Sequence, residues 1–165
     1  MKQANKCCAL AWFFSGPFCL LAVSQPVAQA PQSGDIAVVV HPDTPVTELS
    51  LEEVRKIFLG DRQYWTAKIP VVLLVRAPVA REREAVLNII YQMSEAQFKR
   101  YWIAKIFRAE AATAPKIVYS NDMANELVRV IPGAIAFMVA RDVRPGIKVV
   151  RVAGHLPGQP GYPLR

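Results

Sequence analysis

Apolar positions along the chain follow two rhythms, an unbroken one and one with a spacing of three and four. Ile36–Val40 is five β-branched or small apolar residues in a row, the pattern of a strand buried on both faces and of a parallel sheet. His41-Pro42-Asp43-Thr44-Pro45 ends it, because two nearby prolines forbid regular structure. Ser50-Leu51-Glu52-Glu53 is a capping box. Leu51, Val54, Ile57 and Phe58 then share one helical face, and Gly60 can take the left-handed C-terminal position. This predicts a helix over 51–59, followed by a loop over 61–68 that carries Tyr64 and Trp65. A second apolar run over 69–75 reads as a strand and ends in Arg76. A helix over 83–93 turns Val86, Leu87, Ile90 and Tyr91 inward.

Ser94-Glu95-Ala96-Gln97 is another capping box and opens a helix over 95–107. Its apolar face is Phe98, Tyr101, Trp102, Ile106 and Phe107, with Lys99, Arg100, Lys105 and Arg108 outside or at the rim. A short strand over 116–119 follows, then a helix over 122–130 capped by Ser120 or Asn121 and stopped by Pro132-Gly133. Strands at 134–139 and 147–152 precede a Gly- and Pro-rich tail that reads as irregular. Strands alternating with helices of about ten residues argue for an α/β domain, a mostly parallel sheet flanked by helices. The aromatic residues at helical spacing are core by default; Trp65, on a loop, is the least committed.

The first thirty residues follow another logic. Lys2 and Lys6 precede an apolar stretch over 7–23, and Ala28-Gln29-Ala30 has the form of a cleavage site. That layout predicts an export signal over 1–30, a domain over 31–165, and a periplasmic or secreted location after cleavage near Ala30. An uncleaved anchor is the competing reading, but Ser15-Gly16-Pro17 interrupts the run and leaves it short of a ~20-residue span. Cys7, Cys8 and Cys19 all fall in this segment, so the domain must hold itself together without disulfides and has no thiol nucleophile. The formal charge is +7 for the whole chain and +5 without Lys2 and Lys6. That balance suits anionic partners, yet the cations are scattered and no nucleic-acid motif is present.

The candidate chemistry lies at 76–83. A strand ending in arginine and feeding a helix start can hold an oxyanion, because arginine grips oxygens in pairs and a helix start offers free N–H groups. Arg76, Arg81 and Arg83 are the candidate ligands; pairing of Arg81 and Arg83 with neighbouring glutamates is the alternative. Thr47, in the loop after the first strand, could add a hydroxyl. His41 and His155 stand far apart with no metal-ligand spacing, and no nucleophile motif appears. No cofactor, metal site or enzymatic activity is expected.

Several segments together resemble the phosphate-binding periplasmic proteins of ABC importers. They are Ile57-Phe58-Leu59-Gly60 with Leu51 and Trp65, Ile69-Pro70-Val71-Val72 with Arg76, and Pro132-Gly133-Ala134-Ile135-Ala136-Phe137, which is similar to that family's PGAIGY. Gly161-Tyr162-Pro163-Leu164 looks like its C-terminal stretch, and 94–107 resembles a short exported subset. The resemblance implies one lobe of a type II periplasmic-binding-protein-like fold, with phosphate or another oxyanion as ligand and an ABC transporter or envelope protein as partner. In that family a Ser-Gly-Thr turn follows the arginine; here Ala80, Arg81 and Glu82 stand in its place, and both hydroxyls are missing. The family also has two lobes, so the resemblance leaves two ways to a full cleft, a second copy or a separate partner. It equally leaves a module that has lost small-ligand capture and serves an envelope assembly or a sensor.

Overall fold

The computed structural model describes residues 34–165. The expected export signal and its three cysteines lie outside the described residues. The chain opens with β1 (Ile36–Val40) and β2 (Glu48–Leu49), then α1 (Leu51–Phe58). A hairpin of β3 (Tyr64–Thr66) and β4 (Ile69–Pro70) leads into β5 (Val72–Arg76). Helix α2 (Arg81–Val86) widens into a π turn over Leu87–Tyr91, and α3 is Glu95–Phe107. Strand β6 (Lys116–Val118), α4 (Asn121–Val130), β7 (Ala134–Val139), a 3-10 turn at Ala140–Asp142, β8 (Lys148–Val149) and β9 (Arg151–Val152) complete it.

The main sheet has the order β6-β5-β7-β1-β8. β5 runs parallel to both β6 and β7, while β1 runs antiparallel to β7 and β8. The sheet is therefore mostly parallel, with the first strand alone reversed. The expectation of a parallel β1 is corrected here. A run of β-branched residues reports burial on both faces, and every β1 residue is buried, but burial does not encode direction.

Alternation along β1 sends its side chains into two cores. Ile36, Val38 and Val40 join Ile57, Phe58, Tyr91, Phe98, Trp102 and Phe137 on the side of α1 to α3. Ala37 and Val39 join Leu74, Ala136 and Met138 under Ala124 and Val128 of α4. The α4 side is built from small residues, Ala37, Ala134 and Ala136 among them, which lets that helix sit close to the sheet. The α1–α3 side is aromatic: Tyr91 meets Phe98 edge-on with ring centroids 4.8 Å apart, and Phe58 lies 5.7 Å from Phe137.

Both capping boxes form. Ser50 accepts from the Glu53 N–H, and Ser94 from the Gln97 N–H, each answered by the reciprocal side-chain bond. Gly60 follows α1 with φ 74°. Elsewhere the boundaries move. The strand expected over 69–75 is two strands, because Ile69–Pro70 pairs back on Tyr64–Thr66. Trp65 is thus a strand residue and a core one, 6 % exposed, with its indole N–H donating to the Gly133 carbonyl at 2.8 Å. The strand expected over 147–152 breaks at the buried Val150: β8 pairs with β1, and β9 pairs with β2 in a separate ladder.

Helix α2 starts at Arg81 rather than Arg83. The link turns at Val79, whose φ is +74°, and Ala80 takes the cap position, so the charged residues form the first turn. The outer half of α3 also differs. Lys105, placed at the rim by its charge, is buried: its ammonium meets Asp61 and lies 3.0 Å from the Tyr101 hydroxyl, which donates to the Leu59 carbonyl. Ile106 and Phe107, placed in the core by their hydropathy, are exposed, Phe107 almost fully. The tail lacks regular strands but is anchored. Tyr162 and Leu164 are buried, the Tyr162 hydroxyl donates to the Ile36 carbonyl, and the Ile36 N–H donates to the Leu164 carbonyl.

Gly133 joins these elements. Its φ is +78°, its carbonyl receives the Trp65 indole and the Val72 N–H, and a Cβ there would collide with the Pro70 carbonyl oxygen. Gly133→Ala is expected to cost more than ~2 kcal/mol in urea denaturation, from the collision and the strained dihedral together. Trp65→Phe, which removes one buried hydrogen bond and some volume, is expected to cost about 1–3 kcal/mol in the same measurement.

Candidate functional site

The C-terminal ends of β5, β6 and β7 lie at one end of the sheet, where open α/β sheets place their ligands. Arg76 closes β5 at this end. The link over 77–80 carries the chain to α2, and Ser120 caps α4 beside it by accepting from the Met123 N–H. Ala80 has no side chain with which to cap α2. Bonds back to the Ala80 carbonyl begin only at Arg83 and Glu84, so the N–H groups of Arg81 and Glu82 have no partner among the described residues. They face forward at the positive end of the helix.

Arg76 is 9 % exposed. Its guanidinium makes one long hydrogen bond, 3.4 Å to the Val118 carbonyl, and its Nε has none. No carboxylate lies within ion-pair distance of it among the described residues. A cationic fork that is both buried and unpaired is costly to keep, because its charge has lost water without gaining an anion.

Arg83 is the opposite case. It is 3 % exposed, and its Nε and Nη2 donate to the two carboxylate oxygens of Glu95 at 2.7 and 2.9 Å. Its Nη1 donates to the Arg76 carbonyl at 2.7 Å, and the guanidinium lies 4.6 Å above the Phe98 ring. All three faces of the fork are used internally, leaving none for a ligand. Arg83 holds Glu95 well below the usual carboxylate range, chiefly through this hydrogen bonding. Arg81 is exposed on the first turn and makes no ion pair among the described residues.

Thr47 is not brought to the others. Val40, the last residue of β1, pairs with Ile135 at the start of β7, and the His41 N–H bonds the Ala134 carbonyl. Because β1 is reversed, the loop that follows it leaves from the opposite end of the sheet from Arg76. Thr47 is exposed there, its carbonyl receiving the Arg151 N–H. Its placement beside the arginines assumed a parallel first strand.

One group at this end escaped sequence reasoning. The Asn121 amide donates to Glu82 at 3.2 Å and to Asp142 at 2.7 Å, bridging α2, α4 and the turn after β7. Asn125, fully buried, donates to the Asn121 and Asp142 carbonyls and accepts from the Arg144 N–H. Glu82 is only 8 % exposed, so the residue standing where the resemblance expects a hydroxyl is a carboxylate turned into the protein. The one available signal was Asn121 at the start of α4, which capping by Ser120 already explained.

This geometry has solved counterparts. A phosphate transport receptor of the ABC type from Vibrio cholerae superposes with a TM-score of 0.60 at 20 % identity, over 74 % of this chain and 48 % of the receptor. A substrate-binding protein of a phosphate ABC transporter from Clostridium perfringens, with bound phosphate, gives 0.60 at 20 %, over 74 % and 46 %. PstS from Borrelia burgdorferi gives 0.58 at 14 %, over 74 % and 49 %. No protein-family model and no curated protein matches the sequence. The chain thus shares its fold with the matched part of these solved receptors, and it spans about half their length.

The Arg83–Glu95 pair makes acid stability a test of this geometry. Glu95 titrates lower folded than unfolded, so its contribution is full above the ordinary carboxylate value, about 4.3. It is lost as pH falls through the lower folded value. Wild type is expected to lose melting temperature more steeply below about pH 4 than Glu95→Gln. Arg83→Met is expected to cost about 2–4 kcal/mol at neutral pH, the lower part of the range for a broken buried pair, because Glu95 is partly hydrated.

Proposed function

We propose that this chain is an exported, non-enzymatic substrate-binding-like domain that holds phosphate or a similar oxyanion weakly at Arg76. The observation that carries the reading is the state of that side chain: nine-tenths buried, without an ion pair, with its Nε unpartnered. An oxyanion would supply the acceptors the fork lacks, and the unbonded N–H groups of Arg81 and Glu82 would supply donors alongside it. Arg81 adds exposed positive charge at the entrance. Arg83 serves by orienting the Arg76 backbone through its own carbonyl bond and touches no ligand.

Weak binding follows from the walls. The solved neighbours are about twice as long as the region matched here. A single wall leaves the ligand's outer oxygens in water, where each charge pair is worth only ~0–1 kcal/mol. Glu82, in the first turn of α2, repels a divalent anion unless its Asn121 bond holds the carboxylate back. A transporter component, or a second copy of this chain, is the partner that would add the missing wall.

A second reading has its own observation. α3 presents Ile103 and Phe107 to solvent, four residues apart on one face, as a protein-interaction surface of an envelope assembly or sensor would. The two readings separate on one measurement. Under the first, millimolar phosphate or sulfate, with ionic strength held constant by chloride, raises the melting temperature of the exported chain. Arg76→Ala then abolishes the rise, while Arg81→Gln reduces it. No rise in wild type leaves the interaction reading standing alone. Sizing of the chain with and without phosphate reports whether a second copy takes part.

A further inference from the structure

A second cavity lies away from the arginine end, at the start of β5. It measures about 330 Å³ and sits between the β3–β4 hairpin, the start of β5, Trp102 of α3 and the loop over 111–116. That volume is at the lower edge of the range of small-molecule sites, about 300–1,000 Å³. Leu73 and Trp102 are the large buried groups in its wall, and Ala111 to Ala114 contribute small side chains. Gln63 reaches across to the Glu110 carbonyl at 2.6 Å and ties the hairpin to the loop, so the two walls hold each other in place.

The charged side chains that line it among the described residues, Arg62 and Lys116, are both cationic. Lys116 is exposed and makes no ion pair among the described residues. Arg62 lies 3.8 Å from Glu53, an exposed and long contact that leaves its charge largely available.

Trp102 turns its six-membered ring edge toward Gly60 in the wall, while its indole Nε1 is closed off from solvent and has no hydrogen-bond partner among the described residues. Val72 sends its N–H to Gly133 on the β7 side, so Leu73 directs its backbone toward β6. Strand β6 begins only at Lys116, opposite Leu74, and the Leu73 N–H has no backbone acceptor among the described residues.

We infer that this cavity binds a small organic anion, an apolar body bearing a carboxylate whose charge lies between Arg62 and Lys116. The apolar body fills the space over Leu73 and Trp102. The carboxylate supplies the negative charge the lining lacks. The site is separate from the Arg76 end, roughly 10 Å away along β5, and its ligand class is different.

Octanoate and its uncharged counterpart octan-1-ol serve as probes in a calorimetric titration of the exported chain. Octanoate is expected to bind about tenfold more tightly than octan-1-ol, the equivalent of ~1.4 kcal/mol for the added charge. Lys116→Gln narrows that ratio, and Ala114→Trp, which fills an exposed edge of the cavity without touching the core, removes binding of both. In an amide spectrum the Leu73 N–H and the Trp102 indole resonances move on titration. Arg76→Ala leaves all of this unchanged, so failure here is distinguishable from failure of the oxyanion reading. Absence of octanoate binding, equal affinity for acid and alcohol, binding that survives Ala114→Trp, or shifts confined to other residues overturns the inference.

Discussion

The guanidinium of Arg83 joins three pieces of structure. Two of its nitrogens take the carboxylate that opens α3, the third takes the carbonyl that closes β5, and the helix that carries it starts between them. Burying so polar a group is affordable because each of its three nitrogens donates a hydrogen bond and its partner is itself anionic. The first turn of α2, the last carbonyl of β5 and the Phe98 ring of α3 all meet at that fork. Arg83 treats Glu95 as a binding protein treats a ligand carboxylate, with paired hydrogen bonds inside a nearly closed shell. Seven residues earlier, Arg76 is also buried but has one long bond to the Val118 carbonyl and no ion pair among the described residues.

Legibility in the sequence followed the range of the forces involved. Local devices were readable: both capping boxes, the Gly60 terminator, the inward face of α1 and the inward residues Val86, Leu87, Ile90 and Tyr91 are contained within four or five residues. Strand direction was not readable, because β1 derives its orientation from partners about a hundred residues away. That one unreadable fact misplaced Thr47. The side chains that crossed expectation, Lys105 and Phe107, did so for a similar reason. A lysine can enter a core when a remote carboxylate and hydroxyl receive it, and a phenylalanine can stay outside when its helix outruns the surface beneath it.

The candidate site was legible in part. Arg76 at a strand end was visible from hydropathy alone, and β5 does end there. The division of labour between Arg76 and Arg83 was not, since Glu95 lies twelve residues beyond Arg83 and pairs with it only once α2 has turned back. The Glu82–Asn121–Asp142 bridge was hidden in the same way, its members coming from three separate elements. Charge at a helix start is a local fact, whereas what the charge is paired with is a tertiary one.

The pinning of the tail to the first strand has a geometric consequence. The Ile36 N–H meets the Leu164 carbonyl, and Tyr162 fastens the Ile36 carbonyl, so the described chain begins and finishes at one spot. Ile36 pairs with Val139, the residue that ends β7, which puts that spot at the same pole of the sheet as Arg76. Any tether, tag or further domain joined at either terminus therefore departs from the pole that carries the unpaired arginine. The opposite pole, with its loop at Thr47, is the handle by which the domain can be held without crowding that end.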